Sequence, residues 1–302
     1  MKRIILVIIL LLTIVAYGCT PSDTSNTDQF RTGTQGLGIS FVQNQPPSRI
    51  VLQDDGPQDV MVGLELRNLG AHDITHGVLV YSGYDQNLVS WAFSSLFPTL
   101  EGKSFSNPQG GKEIKEHPGI INSALIGEIY RPVFQVTACY DYSTRAEIPI
   151  CIDPDPTGKS VKPCSASSFS ASGGQGGPIA VTSVNQEPSP GETLLKITIK
   201  NAGGGDVFVG DIGVCGHGEK GLTYKDLDRV KFGSVSLGTT PLNTCKGMDS
   251  SGNIPLTNGQ GVIFCTVKGL TKGSSYKTTL NVVLDYSYRT STSKNIEIVK
   301  LV

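Results

Sequence analysis

Few residues in this chain have the type and spacing that do chemistry. His72 and His76 lie four apart, which on a helix would present two imidazoles to one metal ion. They follow the strand-ending run Asn68-Leu69-Gly70 with no carboxylate motif beside them, so the sequence favours histidines in a surface loop. His117 and His217 stand isolated and no Gly-x-Ser-x-Gly elbow occurs, which leaves a nucleophilic triad little to form from. Gly216-His217-Gly218-Glu219-Lys220-Gly221 spells Gly-x-Gly-x-x-Gly. That pattern holds a dinucleotide only inside a parallel strand-helix-strand unit, and a loop beside Cys215 accounts for it better. Gly158-Lys159-Ser160 lacks the upstream glycine of a phosphate loop.

Two acidic pairs remain. Asp153 and Asp155 alternate with Pro154 and Pro156, and extended carboxylates could lend oxygens to Ca²⁺. The favoured account is that the prolines stiffen this stretch while the aspartates keep it soluble, so no cofactor is required and calcium is a secondary expectation. Glu113 and Glu116 are close in sequence, but hydrolysis needs two carboxylates facing each other across a cleft. The chain is therefore expected not to be an enzyme.

The cysteines carry different information. Lys2 and Arg3 precede an apolar run from Ile4 to Val15, then Ala16-Tyr17-Gly18-Cys19, the layout of a signal peptide with a lipobox-like cysteine as the expected lipid attachment site. The alternatives are plain secretion or an uncleaved helix, although Ile4 to Cys19 is shorter than the roughly 20 residues that span a bilayer. All of these put the rest of the chain outside the cytoplasm. Setting Cys19 aside, Cys139, Cys151, Cys164, Cys215, Cys245 and Cys265 form an even set expected to be oxidised. Cys245 with Cys265 is the leading pair, across a Gly, Asn and Ser-rich loop. Cys151 with Cys164 would leave Cys139 for Cys215, and a rival scheme joins Cys139 to Cys151. No CxxC is present to suggest redox or zinc chemistry.

Charge is balanced at 25 Lys and Arg against 26 Asp and Glu, so no basic surface invites nucleic acid. With 36 Gly and 17 Pro among many Ser and Thr, the chain is turn-rich and expected to be all-β. Residues 20–36 have little to bury and read as a disordered tether, of roughly 60 Å at full reach. Beyond it the sequence echoes itself. Phe41-Val42-Gln43-Asn44-Gln45-Pro46 returns as Ser183-Val184-Asn185-Gln186-Glu187-Pro188, Leu64-Glu65-Leu66-Arg67-Asn68-Leu69-Gly70 as Ile197-Thr198-Ile199-Lys200-Asn201-Ala202-Gly203, and Asp141-Tyr142-Ser143-Thr144-Arg145 as Asp285-Tyr286-Ser287-Tyr288-Arg289. Three echoes in one order predict two copies of one domain, at 37–156 and 178–302, joined by a Gly/Ser-rich linker at 157–177.

Val60, Val62, Leu64 and Leu66 alternate with Met61, Gly63, Glu65 and Arg67, the period of a half-buried strand, and Leu195, Ile197 and Ile199 repeat it. Phe134 to Tyr140 and Ile148 to Ile152 are expected to form a hairpin turning near Thr144 and Arg145, with a last strand through Ile296 and Ile298 tying in the C-terminus. Short helices could form at Leu88 to Phe97 and Tyr224 to Arg229. Tyr81, Tyr84, Trp91, Phe93 and Phe97 have no counterpart in the second copy and would be a binding surface if exposed, core if buried.

The runs Cys139-Tyr140-Asp141-Tyr142 to Cys151-Ile152-Asp153-Pro154-Asp155-Pro156, Gly173-Gly174-Gln175-Gly176 and Lys200-Asn201-Ala202-Gly203-Gly204-Gly205 resemble uncharacterised lipoproteins encoded by archaea. These in turn are similar to tandem immunoglobulin-like β-sandwiches of the CARDB kind, adhesion-like modules of prokaryotic surfaces. The resemblance covers nearly the whole mature chain and implies two such antiparallel sandwiches behind the signal and lipid-anchor segment. Within the first copy no cysteine precedes Trp91, so the inter-sheet disulfide of antibody domains is missing there. The resulting expectation is a non-enzymatic lipoprotein anchored on the extracytoplasmic face of the cell membrane, a structural, binding or adhesion module facing a surface protein or glycan. The alternatives are an accessory subunit of a pilus or envelope layer, and a polysaccharide-binding or hydrolytic protein.

Overall fold

A computed structural model describes residues 30–53, 56–122, 126–159, 161–171, 173–215 and 221–301. Cys19, the apolar run before it and the tether up to residue 29 lie outside the described residues. So do Ser160 and residues 216–220 of the glycine motif.

Apolar alternation builds the sheets. In β3 (Pro57–Asn68) Val60, Val62, Leu64 and Leu66 are buried while Met61 and the charged positions point out. β3 lies in a four-stranded sheet in the order β1 (Leu37–Phe41), β3, β7 (Lys112–Asn122), β5 (Val89–Trp91). A second sheet runs β10 (Phe169–Ser170), β11 (Ile179–Ser189), β12 (Glu192–Asn201), β17 (Gln260–Lys268), with Leu195, Ile197 and Ile199 buried on one face of β12. β10 draws part of the segment read as a linker into this sheet.

The two halves of the chain meet in the largest sheet. Its order is β15 (Thr240–Pro241), β14 (Arg229–Leu237), β18 (Tyr276–Asn295), β9 (Val133–Ile152), β4 (Gly77–Ser82), β6 (Ser94–Phe97). β13 (Asp206–Phe208) also pairs with β18, and β16 (Asn253–Pro255) with β14. β9 and β18 are antiparallel over twenty residues each, from Val133 opposite Asn295 to Ile152 opposite Tyr276. Phe134 on β9 meets Trp91 of the first sheet at 4.5 Å between ring centroids, and Tyr81 on β4 stacks on His117 of β7 at 4.2 Å. One apolar core runs through both halves.

Three sequence expectations are corrected. The chain does not turn at Thr144 and Arg145, because β18 offers hydrogen-bond partners along the whole of β9. Leu88 to Phe97 is not helical. It holds β5 and β6, whose Val89, Trp91 and Phe97 are buried, as suits β-branched and aromatic side chains. Tyr224 to Arg229 forms a turn that leads into β14. The last strand, β19 (Glu297–Lys300), does tie in the end of the chain, but into the first half: it is parallel to β2 (Arg49–Leu52) and antiparallel to β8 (Ile129–Tyr130). Of the five aromatics singled out, Tyr81, Trp91 and Phe97 are buried and Tyr84 packs edge-on against Trp91, so they chiefly fill core.

Four tyrosines sit where β9 and β18 cross their midpoint. Tyr140 is opposite Tyr288 and Tyr142 opposite Tyr286, with ring centroids about 6 Å apart around the group. Their hydroxyls make matched contacts in the two halves. Tyr140 accepts the N–H of Leu37 at the start of β1 (3.0 Å), and Tyr286 that of Ile179 at the start of β11 (3.4 Å). Tyr142 accepts the N–H of His72 (3.1 Å), and Tyr288 that of Gly205 (2.9 Å). Each of these last two residues lies four past a strand-ending asparagine whose side-chain amide holds its carbonyl, Asn68 to His72 and Asn201 to Gly205. Burial pushes the Tyr140, Tyr142 and Tyr286 hydroxyls far above the usual phenol range, which keeps them protonated.

Three cysteine pairs stand at disulfide distance: Cys139 with Cys215, Cys151 with Cys164 and Cys245 with Cys265. The rival Cys139–Cys151 bond fails because both residues lie on one extended strand, roughly 40 Å apart at about 3.3 Å per residue.

Tyr286→Phe is expected to destabilise the protein by about 1–3 kcal/mol in urea unfolding, because it leaves buried Thr144 Oγ1, at 2.7 Å, without its partner. Tyr224→Phe, at an exposed site, should change stability by less than about 0.5 kcal/mol.

Candidate functional site: a polar cleft over the strand seam

The face of β9 and β18 away from the core carries the odd-numbered residues. At the midpoint these are Asp141 opposite Ser287 and Ser143 opposite Asp285, a chequer of two carboxylates and two hydroxyls. Sequence reading met these residues as part of a repeated strand motif and assigned them no role. The available signal was that Asp-Tyr-Ser in a strand turns the tyrosine inward and both polar side chains to the same outer face.

Neighbouring elements raise walls around this floor. β4 joins β9 only from Gly77 onward, so the chain just before it brings His72, Asp73 and Thr75 to one side. From the other side come Val209 and Gly210, after β13, and Lys231 of β14, which lies opposite Asp285. The Cys139–Cys215 bond fastens the covering segment to the sheet, and Phe208 packs beside it. The resulting cleft has a volume of about 400 Å³.

Its polar groups are unevenly satisfied. Ser287 Oγ reaches Asp141 Oδ1 at 2.7 Å and the Gly210 carbonyl at 3.3 Å. Asp73 Oδ1 accepts the Gly102 N–H at 2.7 Å. The Asp285 side chain makes no hydrogen bond or ion pair with the described residues, and Ser143 Oγ, on a residue only 8% exposed, has no hydrogen-bond partner among them. Burial lowers the pKa of His72, helped by the Arg145 charge and opposed by Asp73 and Asp285, so its imidazole is neutral at pH 7. Three carboxylates thus face the Lys231 ammonium, with the Arg145 guanidinium beside His72 and Ser143 at the edge.

The residues singled out from sequence fall elsewhere or apart. His72 and His76 lie in a loop: His72 stands edge-on to Tyr142 at 5.5 Å, while His76 Nδ1 is 3.0 Å from Thr75 Oγ1. Glu113 and Glu116 alternate on β7 and point to opposite sides of its sheet. At Asp153 and Asp155, the place a cation would take is filled by the Lys162 ammonium, 2.6 Å from Asp153 Oδ2 and also donating to the carbonyls of Asp155 (3.1 Å) and Pro156 (3.0 Å). Among the described residues no group of three or more His, Cys, Asp or Glu side chains is placed to hold a metal ion.

Asp153 is buried, so Lys162→Met should cost about 3 kcal/mol in chemical unfolding, because it strands a carboxylate away from water. The lowered pKa of His72 also sets a sign. Between its folded value and 6.5 the unfolded chain binds more protons, so stability falls as the pH drops through 6.5 and levels off below the folded value. His117 is shifted the same way, also by burial. Thermal midpoints measured from about pH 7 to about pH 5 should therefore fall less steeply in His72→Gln, without becoming flat.

No protein-family model matches this chain, and no curated protein matches it in sequence.

Proposed function

We propose that the protein is a non-enzymatic component of the cell envelope, lipidated at Cys19 and displayed on the extracytoplasmic face of the membrane as a structural, binding or adhesion module. Its two halves, 37–156 and 178–302, are read as a duplicated immunoglobulin-like β-sandwich with 157–177 between them. The matched tyrosine and asparagine contacts support the duplication.

The observation that carries the location is the set of three cysteine pairs, which needs an oxidising compartment. It accords with the basic, apolar and small-residue order that leads to Cys19. The partner is a surface protein or glycan. Among the described residues no helix is long and apolar enough to cross a membrane; the attachment is read from the N-terminal segment, by lipid or as a helix.

A second reading, an accessory subunit of a pilus or envelope layer, is favoured by the outer face of the first sheet. There Met61 and Ile120 are 37% and 46% exposed on either side of Pro118, which lies opposite Met61. Such a strip suits contact with another protein.

Cell fractionation with detergent phase separation tests the anchor. The wild-type chain should partition with membranes and Cys19→Ser should not, whereas an unchanged distribution of Cys19→Ser would argue for an uncleaved helix.

A further inference from the structure

We propose that the cleft over the β9–β18 seam is a binding site for a small primary amine, held through its ammonium group. The inference rests on the reading of this protein as a binding module and names the chemistry its central site would take. Two independent observations carry it. Asp73, Asp141 and Asp285 border the cleft, opposed by the Lys231 ammonium and, at the edge beside His72, by Arg145, so acidic groups remain in excess. Separately, Ser143, more than nine-tenths buried, lines the same cleft with a hydroxyl oxygen that has no hydrogen-bond partner among the described residues.

The open valences select the ligand. Asp285 offers both oxygens, while Asp141 and Asp73 each spend one on a protein donor and keep the other. Ser143 Oγ adds an acceptor on the floor. A site rich in unpaired acceptors calls for a ligand rich in donors, and an ammonium group supplies three N–H bonds and the compensating charge. An anion would meet three carboxylates. Among the described residues no three acidic or histidine side chains converge on one point, which disfavours a divalent ion needing several oxygens, whereas an ammonium needs only the Asp285 carboxylate and the Ser143 hydroxyl opposite it. A neutral polyol could donate hydrogen bonds but would leave the charge uncompensated. Lys231, on β14 opposite Asp285, has no ion-pair partner and opposes the ligand from the side of the cleft.

The test is isothermal titration of the full mature chain with 1,5-diaminopentane, with 1,5-pentanediol and Ca²⁺ run in parallel. Saturable binding of the diamine is expected, with no response to the diol. Asp285→Asn should weaken binding by about tenfold or more, the scale of one charge-assisted hydrogen bond. Lys231→Met should tighten it. Ser143→Ala should weaken it severalfold while leaving the thermal midpoint unchanged or raised, because that hydroxyl has no protein partner to lose. This last variant carries the test should Asp285→Asn fail to fold. The proposal is overturned by the absence of saturable heat, by equal binding of the diol, by diamine binding indifferent to both Asp285→Asn and Ser143→Ala, or by Ca²⁺ binding more tightly than the diamine with the same sensitivity to Asp285→Asn. None of these outcomes bears on membrane partition of Cys19→Ser, so failure here and failure of the envelope reading are told apart.

Discussion

Four phenol groups buried at the midpoint of β9 and β18 set the terms for the rest of the molecule. A hydroxyl removed from water must find a partner or cost about 1–3 kcal/mol. Here each reaches a backbone N–H outside its own strand: at Leu37 and Ile179, where the outer sheets begin, and at His72 and Gly205, where the chain leaves them. The same side chains therefore fill the core and fix the approach of both outer sheets to the central one. A phenylalanine would fill the space but hold nothing in register.

That arrangement explains what could be read in the sequence and what could not. Period-two alternation on β3 and β12 reports only on a strand and the face it buries, and it was legible. The breaks at Asn68 and Asn201 were equally plain, and the structure adds their cause: each side-chain amide holds the carbonyl four residues on. The continuity of β9 was not legible. Its partner lies over a hundred residues away, and a strand of twenty residues is far longer than the usual five or six. The polar cleft escaped for a related reason. Asp141 and Ser143 are unremarkable on one strand and become a site only when Asp285 and Ser287 of another strand are laid against them.

Electrostatics divides the molecule's acidic residues by what faces them. Asp153 is buried and answered by Lys162, which makes the best acidic pair in the sequence a structural clasp near the end of β9. Asp285 is half-exposed and unanswered, on the seam that both halves build. Residues that look alike in sequence thus separate into one that holds the fold and one left open to solvent. The distinction rests on whether the nearby lysine closes an ion pair: Lys162 does so with Asp153, and Lys231, opposite Asp285, does not.

The pairing of β19 with β2 has a consequence for biogenesis. A ribosome delivers residues 49–52 long before residues 297–300, and among the described residues β19 is the only strand neighbour β2 has. The sheet that shields Ile50 and Leu52 must wait for the tail of the polypeptide to emerge. Completion of this sheet is consequently a late event rather than a progressive one, and in the interval those apolar side chains are open to self-association.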